Sequence, residues 1–489
     1  ERVVGAEVDD AIHLGHVDEV QGRARKRCQL TFARTEHAES HRPGAYHERR
    51  LRRVLLASEA RMFERIRPPI DPVSIRLDGR ELEAERGEPL THALLASVDV
   101  AGKLHRPRGP SCLRGGCDGC LARVNGEPNV MTCLRAVAGG EEVETQNILG
   151  TRNTDLLRLT DWLFPRGIDH HHLFAGVPLA SELLSSFARK LAGTGKLPDV
   201  ARPVQAAEHV ALDALVVGGG LAGIVTAHHL ARRGHSTWLV DDARVPGLAA
   251  LAAGAAAASA VAAHPLAGVV VKPRATACGV YEARVLVAGE AGAVLVEPRA
   301  LILATGAHDR TLLVEGNDLP GVFSARALAQ LACAGIVPTG GVVIVGRGAF
   351  ADALGERLGT RVVARVEEED VEAVLGTSTV RGLRLCDGRE LEARVVALAL
   401  AGAPSFELGL QAGASTRWCG RGFALSTDEQ GRSAEGVWAA GECTGADFEA
   451  DELVRAGRRV AESVAAYLDA GGRRAAEEGP EMVRAAGGG

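Results

Sequence analysis

Leu212-Asp-Ala-Leu-Val-Val217 is an unbroken apolar run, and it passes directly into Gly218-Gly-Gly220-Leu-Ala-Gly223. Apolar strands without alternation belong to parallel sheets covered on both faces. A helical pattern follows from Leu221 to Arg233 and stops at Gly234. Thr237-Trp-Leu-Val-Asp241 then reads as the next strand, its acid 18 residues beyond Gly223. Strand, glycine turn, helix, strand and terminal acid are the context in which G-x-G-x-x-G marks a dinucleotide site. Gly218 makes the turn, Gly220 admits the pyrophosphate, and Gly223 lets helix and strand pack closely. The helix N-terminus stabilises phosphate charge, and Asp241 accepts from ribose hydroxyls, with Asp242 beside it as the alternative acceptor. A glycine-rich turn without a ligand is the competing reading.

Two later segments complete the same unit. Leu301-Ile-Leu-Ala-Thr-Gly306 is a buried strand closing on a small turn at Ala304, Thr305 and Gly306. Gly436-Val-Trp-Ala-Ala-Gly441-Glu442 is another strand ending in glycine and an acid, ahead of a helix from about Glu452 to Leu468. Between them, Val342-Val-Ile-Val-Gly346-Arg-Gly348-Ala-Phe-Ala351 repeats the strand–glycine–helix pattern, with Gly346, Gly348 and Ala351 at the nucleotide-facing positions. Only one further parallel strand, 361–367, is expected there before an antiparallel hairpin at 380–388, and strands are mostly absent between Glu368 and Val380. A dinucleotide lies across two βαβ halves. The second turn therefore reads as structural, and NAD(P) stays open as a further cofactor.

Upstream the chain changes character. Val73-Ser-Ile-Arg-Leu77 alternates like a half-buried strand, Asp78-Gly79 is a hairpin signal, and a second strand follows around 81–85. A short helix is expected over 89–98. Next comes Ser111-Cys-Leu-Arg-Gly-Gly-Cys-Asp-Gly-Cys120, and Cys133 lies after twelve intervening residues. Four thiolates serve a [2Fe–2S] cluster, and C-x4-C-x2-C…C is the plant-type ferredoxin order, so Cys112, Cys117, Cys120 and Cys133 are the candidate ligands. Gly115, Gly116 and Gly119 let the loop fold around a cluster and turn amide N–H groups towards its sulfurs. The alternative is structural zinc, which usually takes two C-x2-C pairs where only one is present. Hairpin, helix, cysteine loop and strand together suggest a β-grasp fold. Cys278, Cys333, Cys386, Cys419 and Cys443 show no ligand spacing and read as small core residues.

The chain has 489 residues, 46% hydrophobic, with 59 glycines, 3% aromatics and a net charge of −6. That composition excludes global disorder. Dispersed charge of both signs argues against nucleic acid as a partner. The longest apolar run, 248–263, is almost all Ala and Gly, too short and too weakly apolar for a membrane span. With no export signal, a cytoplasmic location is expected, the inner face of a membrane being reached only through a complex. Residues 1–61 are dense in Arg, His and Glu with little periodicity and read as a disordered or artefactual extension. Residues 151–205 read as a connecting, partly helical region. Its Asp169-His-His-His172 reads as a polar surface, since adjacent histidines on a regular element cannot all face one metal.

The three segments at 218–223, 304–306 and 441–442, in this order, resemble the two-dinucleotide-domain flavoproteins. That resemblance implies FAD, with Glu442 at the ribityl chain, Gly441 giving close approach, and Thr305 and Gly306 lining the nucleotide. The fusion order, ferredoxin domain first, resembles the N-terminal half of heterotetrameric sarcosine oxidase alpha subunits and the related subunits of hydrogen cyanide synthase, opine oxidase and dye-linked proline dehydrogenase. The most specific phrases are Gly167-Ile-Asp-His-His-His172-Leu-Phe-Ala-Gly-Val-Pro178, Gly279-Val-Tyr281 and Ala304-Thr-Gly-Ala-His-Asp-Arg310. The implied fold is α/β: a β-grasp [2Fe–2S] domain at 70–150, an FAD-binding Rossmann-type domain at 206–335 and 392–472, an abbreviated second domain at 336–391, and a flexible tail at 473–489. The implied role is electron relay from an amine-oxidising FAD subunit resembling D-amino-acid oxidase to a quinone, oxygen or a carrier protein. The sequence shows no convincing acid/base constellation; His308 and Arg310 read as exposed polar loop residues, contact with flavin or substrate being the alternative. The rival readings are a self-contained NAD(P)H-dependent reductase and a non-redox scaffold.

Overall fold

The computed structural model describes residues 61–97, 108–146, 148–151, 154–157, 159, 207–289 and 292–472. The expected extension (bar Arg61), nearly all of the connecting region with Asp169–His172, and the tail lie outside the described residues.

The first unit is a five-stranded sheet in the order Arg80–Glu85, Pro72–Leu77, Glu142–Glu144, Leu121–Val124, Glu127–Met131. Asp78 and Gly79 both take positive φ, 49° and 82°, which closes the predicted hairpin tightly. Helix Leu90–Ser97 lays Leu90, Ala93 and Leu94 onto Ile75, Leu82, Val124 and Val143. Pro72–Leu77 pairs parallel with Glu142–Glu144. A helix across a mixed sheet with parallel first and last strands is the expected β-grasp.

The second unit has five parallel strands in the order Val269–Pro273, Thr237–Asp241, Glu208–Val217, Gly292–Leu303, Val437–Ala439. Gly292–Leu303 is longer than its apolar end suggested, because its first half also pairs antiparallel with Arg284–Gly289. Helices Leu221–Arg232 and Ala450–Asp469 pack together on one face. They cross closely at Gly457, where a Cβ would stand 2.6 Å from the Ala222 carbonyl oxygen.

The third unit contains four parallel strands, Val322–Ser324, Val395–Ala399, Val342–Gly346 and Val362–Val366. An antiparallel sheet of Val371–Gly376, Val380–Leu385 and Glu390–Glu392 lies beside it. The expected lack of strands between Glu368 and Val380 is thus corrected: Val371–Gly376 is a strand, with Val371, Ala373 and Val374 buried. Two of the parallel strands come from ranges assigned to the FAD-binding domain, so we propose that the second domain runs from Val322 to Ala399.

One strand has no sequence signal. Phe63–Arg65 pairs antiparallel with Ile336–Pro338, and Phe63 is fully buried edge-on to Phe323 at 5.3 Å. Burying a Phe side chain contributes about 1.5–3 kcal/mol, and here it ties the chain ahead of the β-grasp sheet into the third unit. Leu95, Leu113, Cys120 and Cys133 share that core with Phe323, Leu328 and Leu331. The cysteine loop is therefore packed against the flavoprotein part rather than tethered to it. The five scattered cysteines are not uniformly core residues, contrary to expectation: Cys443 is buried, Cys278 is exposed, and Cys333, Cys386 and Cys419 are half-buried.

Candidate cofactor site

The cysteine loop brings its four sulfurs into two pairs. Cys112 Sγ lies 3.4 Å from Cys117 Sγ, and Cys120 pairs with Cys133. Backbone amides of Arg114 and Gly116 donate to Cys112 Sγ at 3.5 and 3.2 Å, and that of Gly115 donates to Cys133 Sγ at 3.3 Å. Gly115 reaches its sulfur at φ 79°, a conformation that favours glycine. Hydrogen bonding from Cys112 pushes the Cys117 thiol down to about 5. The Cys133 thiol likewise holds Cys120 below its ordinary value, while the same bonds and burial push Cys112 and Cys133 up. Two pairs, each stabilising a thiolate and met by amide donors, match the two ligands that each iron of a [2Fe–2S] cluster requires. Among the described residues no three His, Cys, Asp or Glu side chains converge as a single metal ion would need.

The dinucleotide turn has the shape its glycines predict. Gly218 has φ 106°, its amide donates to Val240 O at 2.8 Å, and a Cβ there would overlap the Ala304 carbonyl. At Gly223 a Cβ would overlap the Gly218 carbonyl, so that residue is held small by the protein itself. Gly220 is different: a Cβ there would meet nothing within 4 Å. A position open to side chains but filled by glycine beside a helix N-terminus fits a pyrophosphate at close range. Asp241 accepts from the amides of Gly219 and of Ala243, the latter at 2.9 Å. Burial and the neighbouring Asp242 push its carboxyl up to about 6. Its oxygens retain lone pairs for ribose hydroxyls.

The remaining predicted residues meet at the same place. Thr305 Oγ1 donates to Ser405 O at 2.8 Å, and the Gly306 carbonyl accepts from the Ser405 amide at 3.0 Å. Gly306, at φ 73°, faces Glu442, and Gly441, at φ 87°, packs on Ala222. Glu442 opens a 3-10 turn, Glu442–Thr444, and stands ahead of helix Ala450–Asp469 rather than at its first turn.

Sequence reasoning missed the cation that holds Glu442. Arg326, on helix Ala325–Cys333, donates from both terminal nitrogens to the Glu442 carboxylate, at 2.7 and 3.2 Å. Their side chains are only 9% and 10% exposed. The guanidinium also lies 4.8 Å from the Phe350 ring centre. The available signal was an arginine alone within Ala325-Arg-Ala-Leu-Ala-Gln-Leu-Ala-Cys333. Charges continue from there to the cluster loop: Arg326 Nε is 3.8 Å from Asp309, and Arg114 Nε is 3.6 Å from the same carboxylate. Arg114 also donates to Ala307 O, and the Ser324 amide that precedes the helix donates to Ser111 O at 2.8 Å. The cluster loop and the Glu442 site are thus joined by direct bonds.

One cavity of about 1040 Å³ is lined by Cys112, Cys117 and Cys133 and also by Gly218, Gly220, Asp241, Gly306 and Glu442. Gly346, Gly348 and Ala351 are not among its lining residues. Gly348 has an open Cβ position, while Arg347 beside it is paired with Glu367 at 2.8 Å. His308 pairs with Glu407 at 3.2 Å and Arg310 with Glu368 at 3.0 Å. Both reach the cavity wall, His308 exposed and Arg310 half-buried.

Two stretches of the chain match known domains. Residues 71–148 match the 2Fe-2S iron-sulfur cluster binding domain, and residues 212–351 match the pyridine nucleotide-disulphide oxidoreductase domain. The chain resembles the alpha chain of sarcosine oxidase. Its sequence is 30% identical over 305 residues to the sarcosine oxidase alpha chain of Rhizobium meliloti, covering 55% of this chain and 31% of that protein. It is 50% identical over 66 residues to an opine oxidase subunit of Agrobacterium tumefaciens, covering 13% of this chain and 12% of that one. The matched stretches therefore span a third or less of these relatives. Among solved structures, L-proline dehydrogenase from P. horikoshii superimposes with a TM-score of 0.63 at 19% identity, over 84% of this chain and 76% of that one, a likeness of fold. The two matched domains support FAD and a [2Fe–2S] cluster as the cofactors. No helix among the described residues is long and apolar enough to cross a membrane.

Proposed function

We propose that this chain is the electron-relay part of an oxidoreductase acting on amine or amino-acid C–N bonds. Electrons enter from the flavin of a partner subunit resembling D-amino-acid oxidase and leave for a quinone, oxygen or a carrier protein. Gly218, Gly220, Gly223, Asp241, Ala304, Thr305, Gly306, Gly441 and Glu442 would hold FAD; Cys112, Cys117, Cys120 and Cys133 would hold the cluster. The observation that carries the reading is the shared cavity, whose walls come from both cofactor-type sites and are bonded together through Ser111–Ser324 and Arg114–Asp309.

Bound FAD supplies two-electron acceptance with single-electron release, and the cluster carries electrons singly. The chain's own contribution is placement. The amides of Arg114, Gly115 and Gly116 stabilise negative charge on sulfur. Arg326 orients the Glu442 carboxylate as an acceptor for hydroxyls, and the packed core around Leu113, Cys120 and Phe323 fixes the separation of the two sites.

A second reading, entry of hydride from NAD(P)H, is favoured by the open Gly348 position. The relay reading predicts that the purified chain does not bleach its flavin band with excess NADH under anaerobic conditions. It predicts that chains co-purifying with it include a flavin-containing amine oxidase type. Rapid bleaching by NADH without any partner overturns the relay reading in favour of the reductase.

A further inference from the structure

Arg114, Asp309, Arg326 and Glu442 form a run of alternating charge that starts in the cluster loop. Arg114 Nε stands 3.6 Å from Asp309 Oδ2, and Arg326 Nε stands 3.8 Å from Asp309 Oδ1. Both separations exceed hydrogen-bond length, so the two cations meet Asp309 by charge rather than by hydrogen bonding. The Asp309 side chain is only 15% exposed, and its Oδ2 is buried with no hydrogen-bond partner. An unbonded buried acceptor calls for an explanation, a redox role among them. Arg114 connects that acceptor to the cluster. Its amide donates to Cys112 Sγ at 3.5 Å, while its guanidinium is turned to Ala307 O and Asp309. Leu113, between Cys112 and Arg114, is 6% exposed and takes φ 53°. That is a strained conformation for a bulky residue, of the kind that clusters at functional sites.

We propose that Asp309 sets the reduction potential of the cluster by cancelling the charge of Arg114. A [2Fe–2S] cluster gains one negative charge on reduction, and the net charge around it is among the factors that fix its potential. Arg114 ties the cluster loop to the flavoprotein part through Ala307 O, and Asp309 removes the electrostatic consequence of that tie. The cluster then holds its electron loosely enough to pass it on. This rests on the relay reading, in which the cluster is the one-electron carrier.

The test is a redox titration of the full-length holoprotein with dithionite and mediators, following the paramagnetic signal of the cluster. Iron content and flavin absorbance report that both sites are filled. Asp309→Asn leaves the Arg114 charge uncancelled. It is expected to raise the equilibrium constant for cluster reduction about tenfold, an upward shift of about 59 mV for one electron. Arg114→Gln is expected to shift the potential downward, and Arg114→Lys, which keeps the charge, to leave it near the wild-type value. The double variant Arg114→Gln/Asp309→Asn removes both charges and is expected to return close to wild type. Loosening of the loop would move both single variants the same way and would not cancel in the double. An unchanged potential in Asp309→Asn, or single variants that shift in the same direction, overturns the proposal. If Asp309→Asn lacks the cluster, Arg114→Gln and Arg114→Lys decide it, and equal potentials in those two overturn it. Dithionite reduces the cluster without help from the flavin. A cluster that reduced flavin cannot reduce therefore sinks the relay reading alone, and the titration still judges this inference.

Discussion

Replacing Arg326 with Met removes the cation bonded to Glu442 while keeping most of the side-chain volume. Both partners are about nine-tenths buried, and the contact is two-pronged, at 2.7 and 3.2 Å. Removing one member of a buried ion pair costs about 3–5 kcal/mol, because the remaining charge stays desolvated. Loss of the guanidinium from the Phe350 ring adds about 0.5–2 kcal/mol. Against a typical stability of about 5–15 kcal/mol, the single variant should lose a large fraction of its stability. The assay is urea unfolding followed by tryptophan emission, since Trp438 is buried in the strand that leads to Glu442. The double variant Arg326→Met/Glu442→Gln leaves no uncompensated charge and should regain about 2 kcal/mol or more. A single variant that loses less than about 1 kcal/mol, or a double variant in which the two losses simply add, would refute the role given to this pair.

Three further outcomes are expected. Cys117→Ser should abolish the rhombic paramagnetic signal of the reduced cluster while leaving bound FAD, and retention of two irons with that signal would contradict the ligand assignment. Gly220→Val should lose FAD without loss of stability, because the Cβ position is open, whereas Gly223→Ala should destabilise the protein itself, because a Cβ there overlaps the Gly218 carbonyl; equal thermal shifts in the two would contradict this. Acidification should destabilise the fold through His92 and His229, both held below the ordinary histidine value chiefly by burial. Their unfolded forms take up protons first, so stability is full above about pH 6.5 and falls as pH drops towards 3, by up to about 1.4 kcal/mol per unit for His92. Asp241, raised to about 6, takes up its proton first in the folded state and opposes this between about pH 6 and 4. The measurement is therefore the difference in urea midpoint between wild type and His92→Gln from about pH 7 to 4; a difference independent of pH would refute it.

Local patterns carried much of this structure, and long-range ones did not. The turn at Gly218–Gly223 was legible because each glycine answers a local constraint, and the observed φ of Gly218 and close packing of Gly223 are those constraints. The cysteine order was legible because three ligands share one loop and the fourth, Cys133, follows after a single hairpin. Phe63–Arg65 was not, since its partner Ile336–Pro338 lies more than 270 residues away and three residues carry no periodicity. Val371–Gly376 escaped because it is short and follows the acidic run Glu367–Asp370, which reads as a loop. The pairing of Arg326 with Glu442 joins residues 116 apart, and only the apolar company of Arg326 hinted at a buried charge.

The central claim is that one chain holds both redox groups close enough to share electrons. The most direct measurement is anaerobic photoreduction of the flavin in the isolated protein, with the cluster's paramagnetic signal followed in time at several protein concentrations. The account predicts that the cluster signal appears as the flavin is reduced, at a rate independent of concentration, as electron transfer within one molecule requires. A fully reduced flavin beside a silent cluster, or a rate rising in proportion to protein concentration, would contradict it.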